Sequence, residues 1–481
     1  MGHPSVFPTG TTNFDPDRCW GGYTVFPSQS DGAVLVDMNG NVVRNYPDLL
    51  GFPVKVLPGG FFMGSTERRD PKYGFQDSND LVQIDFEGRV VWRFSRYELV
   101  RDGGDKRRWI ARQHHDYQRE GNPVGYYAPR QPARVDGGST LVLCHRNVSN
   151  PRISDTTLLD DTFVEVDWSG KVQWEWRCSD HVDELGFEEA ARTTMYRYPN
   201  RVPAAGGLGD WLHVNALSRL GPNRHFDAGD ERFHPDNLIW DARQANIIAI
   251  TSRATGEVVW RLGPEFTATK ALRRIRQIIG QHHAHLIPQG LPGAGNLLVY
   301  DNGGWAGYGS PNPGSYRGVS NALRDYSRVL EIDPVTLEVV WQYTPVEAGF
   351  RMPVEAFKFY SGFISSAQRL PNGNTLITEG ADGRLLEVTA EHEIVWEYVS
   401  PFFGRGDLFR QNTVYRAYRV PYAWIPQLDV PTERAVEPPK PSAFHVGDAP
   451  GSAVPTRIRR SRGKVQVVAE ACVLPEELDD D

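Results

Sequence analysis

The sequence predicts an all-β protein: a six-bladed β-propeller with short helical insertions and an irregular carboxy-terminal extension. One observation is a hairpin pattern that recurs six times. Segments 81–92, 163–174, 247–260, 329–341 and 385–396 each read as an alternating strand, a turn and a second strand ending in Trp, and segment 34–44 repeats the pattern with Arg44 in place of the Trp. A second observation is a strand that runs into Pro-Xaa-Gly and then an apolar run, at 54–62, 285–300 and 367–377. Two hairpins per repeat make a four-stranded unit, and radial packing of six such units leaves only short, protected edges. The third is composition. Gly (47) and Pro (35) supply many turns, while 13 Trp and 19 Tyr suit short aromatic strands.

The elements follow in order from this repeat. Residues 1–420 are assigned to the propeller, and the Trp and Val positions of the hairpins to blade core. A helix is expected over 268–279, where Leu272, Ile275, Ile278 and Ile279 share a face and Gly280 is a stop signal. It leads directly into Gln281-His282-His283. From Pro421 the repeat ends and proline becomes frequent, so 421–481 reads as an extension that packs on the propeller or is partly disordered.

Charge and cysteine content narrow the class. Fifty-two Lys and Arg against 60 Asp and Glu leave a net charge of −8, the wrong sign for a general nucleic-acid binder. No apolar stretch approaches the roughly 18 residues of a membrane span, so neither nucleic acid nor membrane is expected as a partner. Cys19, Cys144, Cys178 and Cys472 are far apart and read as four separate thiols. Segment 1–23 shows no secretory signal, which makes the cytoplasm the expected location, or the periplasm or exterior if a leader has been removed.

Histidine is the informative residue type. Gln113-His114-His115, Trp211-Leu212-His213 and Gln281-His282-His283 each open the second half of a blade, and Pro288 minus six matches Pro371 minus six. Strands near the axis of a propeller begin at one mouth of its channel, so His115, His213 and His282 are expected to meet there. His114, His283 and His285 adjoin them, and alternation predicts that His283 points away from the channel. His3, His145, His181, His225, His234, His392 and His445 read as structural, as do Trp305, Tyr308, Phe402 and Phe403.

At these residues the sequence resembles the bacterial arylsulfotransferases, the PAPS-independent aryl-sulfate sulfotransferases built on a six-bladed propeller. The resemblance rests on His114-His115-Asp116, on 211–215, on Ala242-Arg243 with 256–263, and on Gln281-His282 with 298–303; 367–376 adds to it. It implies that His282 becomes transiently sulfated, with His115, His213 and Arg243 around the sulfuryl group. It also implies transfer from an aryl sulfate to a phenol, a small aromatic substrate and no cofactor. Cationic donors suit a sulfuryl group whose oxygens carry the negative charge, and a neutral imidazole is a competent nucleophile. His114, His283 and Tyr126 are expected to touch substrate. Tyr126 lies in a 121–138 insertion that replaces the family's turn and is expected to cap the pocket.

Two other readings stand beside this one. Several imidazoles at one mouth also suit a transition metal such as zinc, copper or iron held by His115, His213 and His282, as in a metal-dependent lyase, hydrolase or oxygenase. A non-catalytic propeller binding a partner through its rim is the third.

Overall fold

Each of the six repeated hairpins is closed by the side chain of its own turn. Asp37, Asp85, Asp167 and Asp333 accept backbone N–H groups three or four residues ahead, at 2.9–3.0 Å from Asn41, Arg89, Lys171 and Thr336. In the fourth and sixth hairpins the Ser252 and Thr389 hydroxyls do the same. Such local capture lets a four- or five-residue turn reverse the chain without leaving its amides unpaired. The computed structural model describes residues 8–74, 76–104, 106–199, 209–311, 320–404 and 411–440.

Six antiparallel sheets result, here numbered as blades in chain order and written from inner to outer strand. Blade 1 is Tyr418–Val420, Tyr23–Pro27, Ala33–Val36 and Val42–Tyr46. Blade 2 is Leu50–Leu57, Phe61–Ser65, Leu81–Ile84 and Val90–Phe94. Blade 3 is Gln113–Arg119, Thr140–Val148, Leu158–Val166 and Val172–Arg177. Blade 4 is Val214–Arg219, Leu238–Ala242, Ile247–Thr251 and Val258–Leu262. Blade 5 is His282–Leu286, Leu297–Asp301, Arg328–Ile332 and Val339–Tyr343. Blade 6 is Ser366–Arg369, Thr375–Glu379, Arg384–Val388 and Ile394–Val399, with Gly10–Phe14 added outside. The chain is a six-bladed β-propeller, and its predicted hairpins are the two outer strands of each blade. Blade 1 takes its inner strand from the end of the propeller sequence, and blade 6 takes its outer strand from the beginning.

The repeat tryptophans do more than fill the blade core. Trp92, Trp176, Trp260, Trp341 and Trp396 each donate the indole N–H to a carbonyl in the next blade's hairpin, at Trp168, Gly256, Pro334, Ala390 and Met38, over 2.7–3.0 Å. In blade 1, Arg44 and the Tyr46 hydroxyl reach the Phe86 carbonyl of blade 2 in the same way. The ring is thus stitched at all six blade junctions. In blade 3 the donor is Trp176, two residues beyond the Trp174 of the repeat pattern and on the same strand face.

One expectation is corrected here. The helix covers only Lys270–Ile275, capped by Thr269, and stops at Arg276 (φ +62°) rather than at Gly280. Its continuation is prevented because Arg328 takes the carbonyls of Ile275 and Gln277, and Arg324 also takes that of Gln277. Ile275 and Ile278 still bury their side chains between blades 4 and 5. Two α-helices that the sequence pattern did not show, Glu189–Arg197 and Arg224–Asp227, lie in insertions of blades 3 and 4.

Of the expected extension, 421–436 lies against blades 1 and 6: Trp424 and Ile425 pack in the same cluster as Tyr23, and Val436 pairs with Phe14. Residues 441–481, with His445 and Cys472, lie outside the described residues, as does His3. Cys19, Cys144 and Cys178 are free thiols. Among the described residues no helix is long and apolar enough to cross a membrane.

Candidate active site

The inner strands of blades 3, 4 and 5 all break register where their histidines stand. The ladder is interrupted between Gln113 and Tyr117, between Val214 and Ala216, and between His282 and His285. His115, His213 and His283 take left-handed backbone angles, φ +53°, +54° and +58°. Non-glycine residues rarely adopt them, and bulges of this kind re-aim side chains that plain alternation would bury in the sheet. Three blades therefore use the same device to turn an imidazole.

His115 and His213 meet edge to face with ring centroids 4.7 Å apart. His213 Nδ1 lies 2.6 Å from Asp210 Oδ2, and the Arg243 backbone N–H donates to the His213 carbonyl, which ties Arg243 to the same turn. The Arg243 guanidinium lies over the Trp305 ring at 5.1 Å, and Trp305 is 39% exposed. His282 Nδ1 is 2.7 Å from Asn302 Oδ1 and 3.1 Å from the Gly280 carbonyl. The Asn302 amide donates to two carbonyls, of Ser361 and Ile364, so its oxygen faces His282. His282 Nδ1 must then carry the proton, leaving Nε2 as the basic nitrogen.

Burial governs the charges. It pushes His115 well below the usual imidazole range, helped by His213 and His114, and it does the same to His282, helped by Arg243 and His213. Burial also pulls Arg243 down to about 10, against the opposing Asp210 carboxylate, so at neutral pH it remains a cation. Burial would raise the Asp210 carboxyl, but His213 outweighs it and draws the group below the ordinary range. The arrangement is a pair of neutral imidazoles, a carboxylate–imidazole dyad and a guanidinium at one end of the channel.

His115 and His213 are in ring contact, Arg243 is tied to the turn of His213, and Arg243 and His213 both act on the charge of His282, while His283 and Tyr126 stand apart from them. His114 keeps its Nδ1 2.8 Å from His115 Nδ1 but turns its other edge away: its ring stacks on His145 at 3.5 Å and its Nε2 lies 3.3 Å from Asp161 Oδ1. His283 does not point away from the channel. It lies against His285 and near Tyr418, an inner-strand residue of blade 1, because the bulge resets the alternation. Tyr126 does not cap the histidines either. Its loop leaves the far end of the inner strand of blade 3, and its hydroxyl fills the channel at 2.8 Å from His285 Nε2.

Among the described residues, the group with ligand atoms close enough for one metal ion is His114, His145 and Asp161, all within 4.8 Å of one another, rather than His115, His213 and His282. A cavity of about 500 Å³ bounded by Glu184, Trp260 and Leu337 lies at the outer rim and is lined by no histidine.

Sequence reading missed Asp210, Asn302, His145 and Asp161, and also Phe52, which packs on His115 at 5.8 Å beneath the Arg68 guanidinium. Asp210 stands three residues before His213, a spacing that could have drawn attention to it. Asn302 lies in the 298–303 stretch that carries the resemblance but follows a neighbouring strand, and Asp161, on another strand, carries no local signal. Below the histidines, Asp116 accepts from Lys55 at 2.6 Å, Arg416 at 3.0 Å and the Leu217 amide at 3.2 Å, which locks the inner strands of blades 2, 3 and 4 to the segment before blade 1's. Of the other aromatics, the Tyr308 hydroxyl donates to the Pro199 and Trp211 carbonyls and Phe402 packs on Phe26, away from the histidines.

No curated protein matches the chain. Among solved structures it is similar to a Bacteroides caccae protein of unknown function, at 10% identity over 83% of this chain and 99% of that one, with a TM-score of 0.41. It is also similar to the Pseudomonas aeruginosa periplasmic gluconolactonase PpgL, at 11% identity over 85% and 99%, with a TM-score of 0.36, and to a streptogramin B lyase, at 11% identity over 83% and 84%, with a TM-score of 0.35. The family model described as arylsulfotransferase (ASST) matches residues 27–400, a span that contains all three bulged histidines, Arg243, Asp210 and Asn302. This chain belongs to the arylsulfotransferase family.

Proposed function

We propose that the protein transfers a sulfuryl group from an aryl sulfate to a phenolic acceptor through a sulfohistidine at His282. The observation that carries this reading is the tautomer of His282. Asn302 and the Gly280 carbonyl hold the proton on Nδ1, and burial beside Arg243 keeps the ring neutral, so a basic Nε2 is available at physiological pH.

In the first step His282 Nε2 forms a bond to sulfur as the sulfur–aryl oxygen bond breaks, and the electron pair leaves on the phenolate. His213, held at Nδ1 by the Asp210 carboxylate, gives that oxygen a proton. In the second step the acceptor phenol oxygen attacks sulfur and loses its proton to His213, and the nitrogen–sulfur pair returns to His282. Arg243 draws charge from the sulfuryl oxygens in both steps, and the neutral His115 donates one hydrogen bond to them. Exposed Trp305, already stacked on Arg243, offers an aromatic ring a face beside the sulfuryl position.

The test is incubation with 4-nitrophenyl sulfate and phenol. Nitrophenolate release, phenyl sulfate formation and a sulfuryl mass increment on the peptide bearing His282 are expected. Absence of both turnover and the increment overturns the reading.

A further inference from the structure

A cation without a counter-charge stands beside the proposed transfer site. Arg68 lies in the 66–80 segment between the second and third strands of blade 2. Its backbone bridges Ser78, and Ser78 in turn bridges Gln113, two residues before His115. The Ser78 amide donates to the Gln113 carbonyl at 2.7 Å, and the Asn79 side-chain amide donates to the Arg68 carbonyl at 3.4 Å. Arg68 is thereby fixed next to the strand that carries His115. Its guanidinium lies over the Phe52 ring at 4.3 Å, and that ring is 5.8 Å from His115 between centroids, so guanidinium and imidazole are at most about 10 Å apart.

The acidic groups of the segment are already engaged. The adjacent guanidinium, Arg69, takes Asp77 and Asp102, and Glu67 pairs with Arg108. Among the described residues none offers the Arg68 side chain a carboxylate or a carbonyl. Arg68 is open to solvent, yet the protein around it strips enough hydration to draw its pKa down to about 10. At neutral pH it is therefore a partly desolvated cation that the chain itself does not neutralise. Its place over Phe52 sets the plane of the guanidinium and leaves the N–H edge free. That edge matches a planar carboxylate, which it can grip through two parallel hydrogen bonds.

We infer that Arg68 is a specificity residue that binds a carboxylate carried by the phenolic substrate, on the side of the ring away from the transferred sulfuryl group. The inference deepens the function proposed above and rests on it for the identity of the substrate ring. Arg243 serves the sulfuryl oxygens, so a second guanidinium near His115 is left for a second anionic group. One benzene ring with a short acidic arm is long enough to run from the sulfuryl position to Arg68, with the half-buried Phe52 face beneath it. Donor and acceptor rings occupy the same position in turn, so both are expected to carry the acid. A neutral phenol fills the ring position and leaves Arg68 unpaired.

Calorimetric titration of the full chain with 4-hydroxyphenylacetate and with its neutral amide tests this without turnover, because the two phenols differ in charge and little in shape. The acid should bind about 10-fold more tightly at low ionic strength, and added salt should shrink the preference. In Arg68→Met, whose apolar stem still covers Phe52, the preference should fall to within about 2-fold; Arg68→Gln takes its place if that variant does not fold. Equal affinities in the parent, binding of neither phenol, or a preference that survives in the folded variant each overturns the inference. With 4-nitrophenyl sulfate as donor, the same preference should appear in the acceptor KM and not in kcat. A charge preference without nitrophenolate release would overturn sulfuryl transfer and support the anion site, whereas turnover without a preference would do the reverse.

Discussion

His115 and His213 stand edge to face with their ring centroids 4.7 Å apart, one from the inner strand of blade 3 and one from the turn that opens blade 4. The backbone of each is left-handed at that residue. The pairing places a neutral imidazole against one whose Nδ1 is held by a carboxylate.

Asp210 is what distinguishes them. In Asp210→Asn the side-chain amide can face His213 Nδ1 with a donor, which moves the proton to Nε2 and removes the basic nitrogen. A loss of about 10²- to 10⁴-fold in kcat is expected, with little change in KM, because a misplaced tautomer harms the transition state more than the substrate complex. Steady-state kinetics with 4-nitrophenyl sulfate would show it, and an unaltered kcat removes His213 from proton transfer.

The pH dependence of the first transfer follows from His282. Its folded value lies well below that of an ordinary histidine because of burial and then Arg243, so the neutral nucleophile persists as pH falls. Single-turnover formation of nitrophenolate should show no fall as pH is lowered to below about 6, whereas an unperturbed imidazole would be half protonated near 6.5. Arg243→Met removes a repelling cation and should shift the acid limb upward, alongside its direct cost in rate. A wild-type midpoint at or above about 6.5 contradicts the environment described for His282.

Stability should depend steeply on Asp116. Its carboxylate is the shared partner of Lys55 and Arg416, all three fully inside the protein. Asp116→Ala leaves two buried cations without their counter-charge, for an expected loss of about 3–5 kcal/mol. Urea unfolding of the variant beside the parent would measure it, and a loss under about 1 kcal/mol would mean the network relaxes or floods with water.

The stitches between blades should be graded. Trp396 is fully buried and donates to the Met38 carbonyl, so Trp396→Phe should cost about 1–3 kcal/mol. Arg44→Met should cost less than about 0.5 kcal/mol, because Tyr46 donates to the same Phe86 carbonyl and both side chains reach solvent. Thermal melting of the two variants tests the ranking. Equal losses would show that the indole N–H is incidental to the packing of its ring.

Substrate recognition by an aromatic face predicts a different kinetic split. Trp305→Ala should raise KM for aryl sulfates about 10-fold while leaving kcat within about 2-fold, since stacking acts equally on ground and transition states. A kcat loss with unchanged KM would instead assign Trp305 to holding Arg243.

What was legible in the sequence was local. Each outer hairpin carries its own turn residue and alternation within about a dozen positions, and five of the six also carry a Trp, so the blade count could be read directly. His115 and His213 were legible for the same reason, because they stand at one place in the repeat; in blade 5 that place falls on His283, one residue beyond His282. The shortened helix was not: its end is set by Arg324 and Arg328, about 50 residues downstream, which take its carbonyls. His145 and Asp161 were illegible because cross-strand pairing makes them neighbours. His283 was misread since strict alternation does not survive a bulge, and Tyr126 because an insertion can enter a channel from its far end.

The closure of blade 1 by Tyr418–Val420 has a consequence for the newborn chain. Strand Tyr23–Pro27 leaves the ribosome early, yet its pairing partner follows nearly the whole propeller sequence behind it, a delay on the order of tens of seconds at ordinary elongation speeds. During that interval its open edge can accept strands from other polypeptides, which makes it the vulnerable border of the nascent protein and a natural point for chaperone protection. Blades 3, 4 and 5 have no such wait. Each is woven from strands in direct succession, so the histidine-bearing sector can mature before the circle shuts.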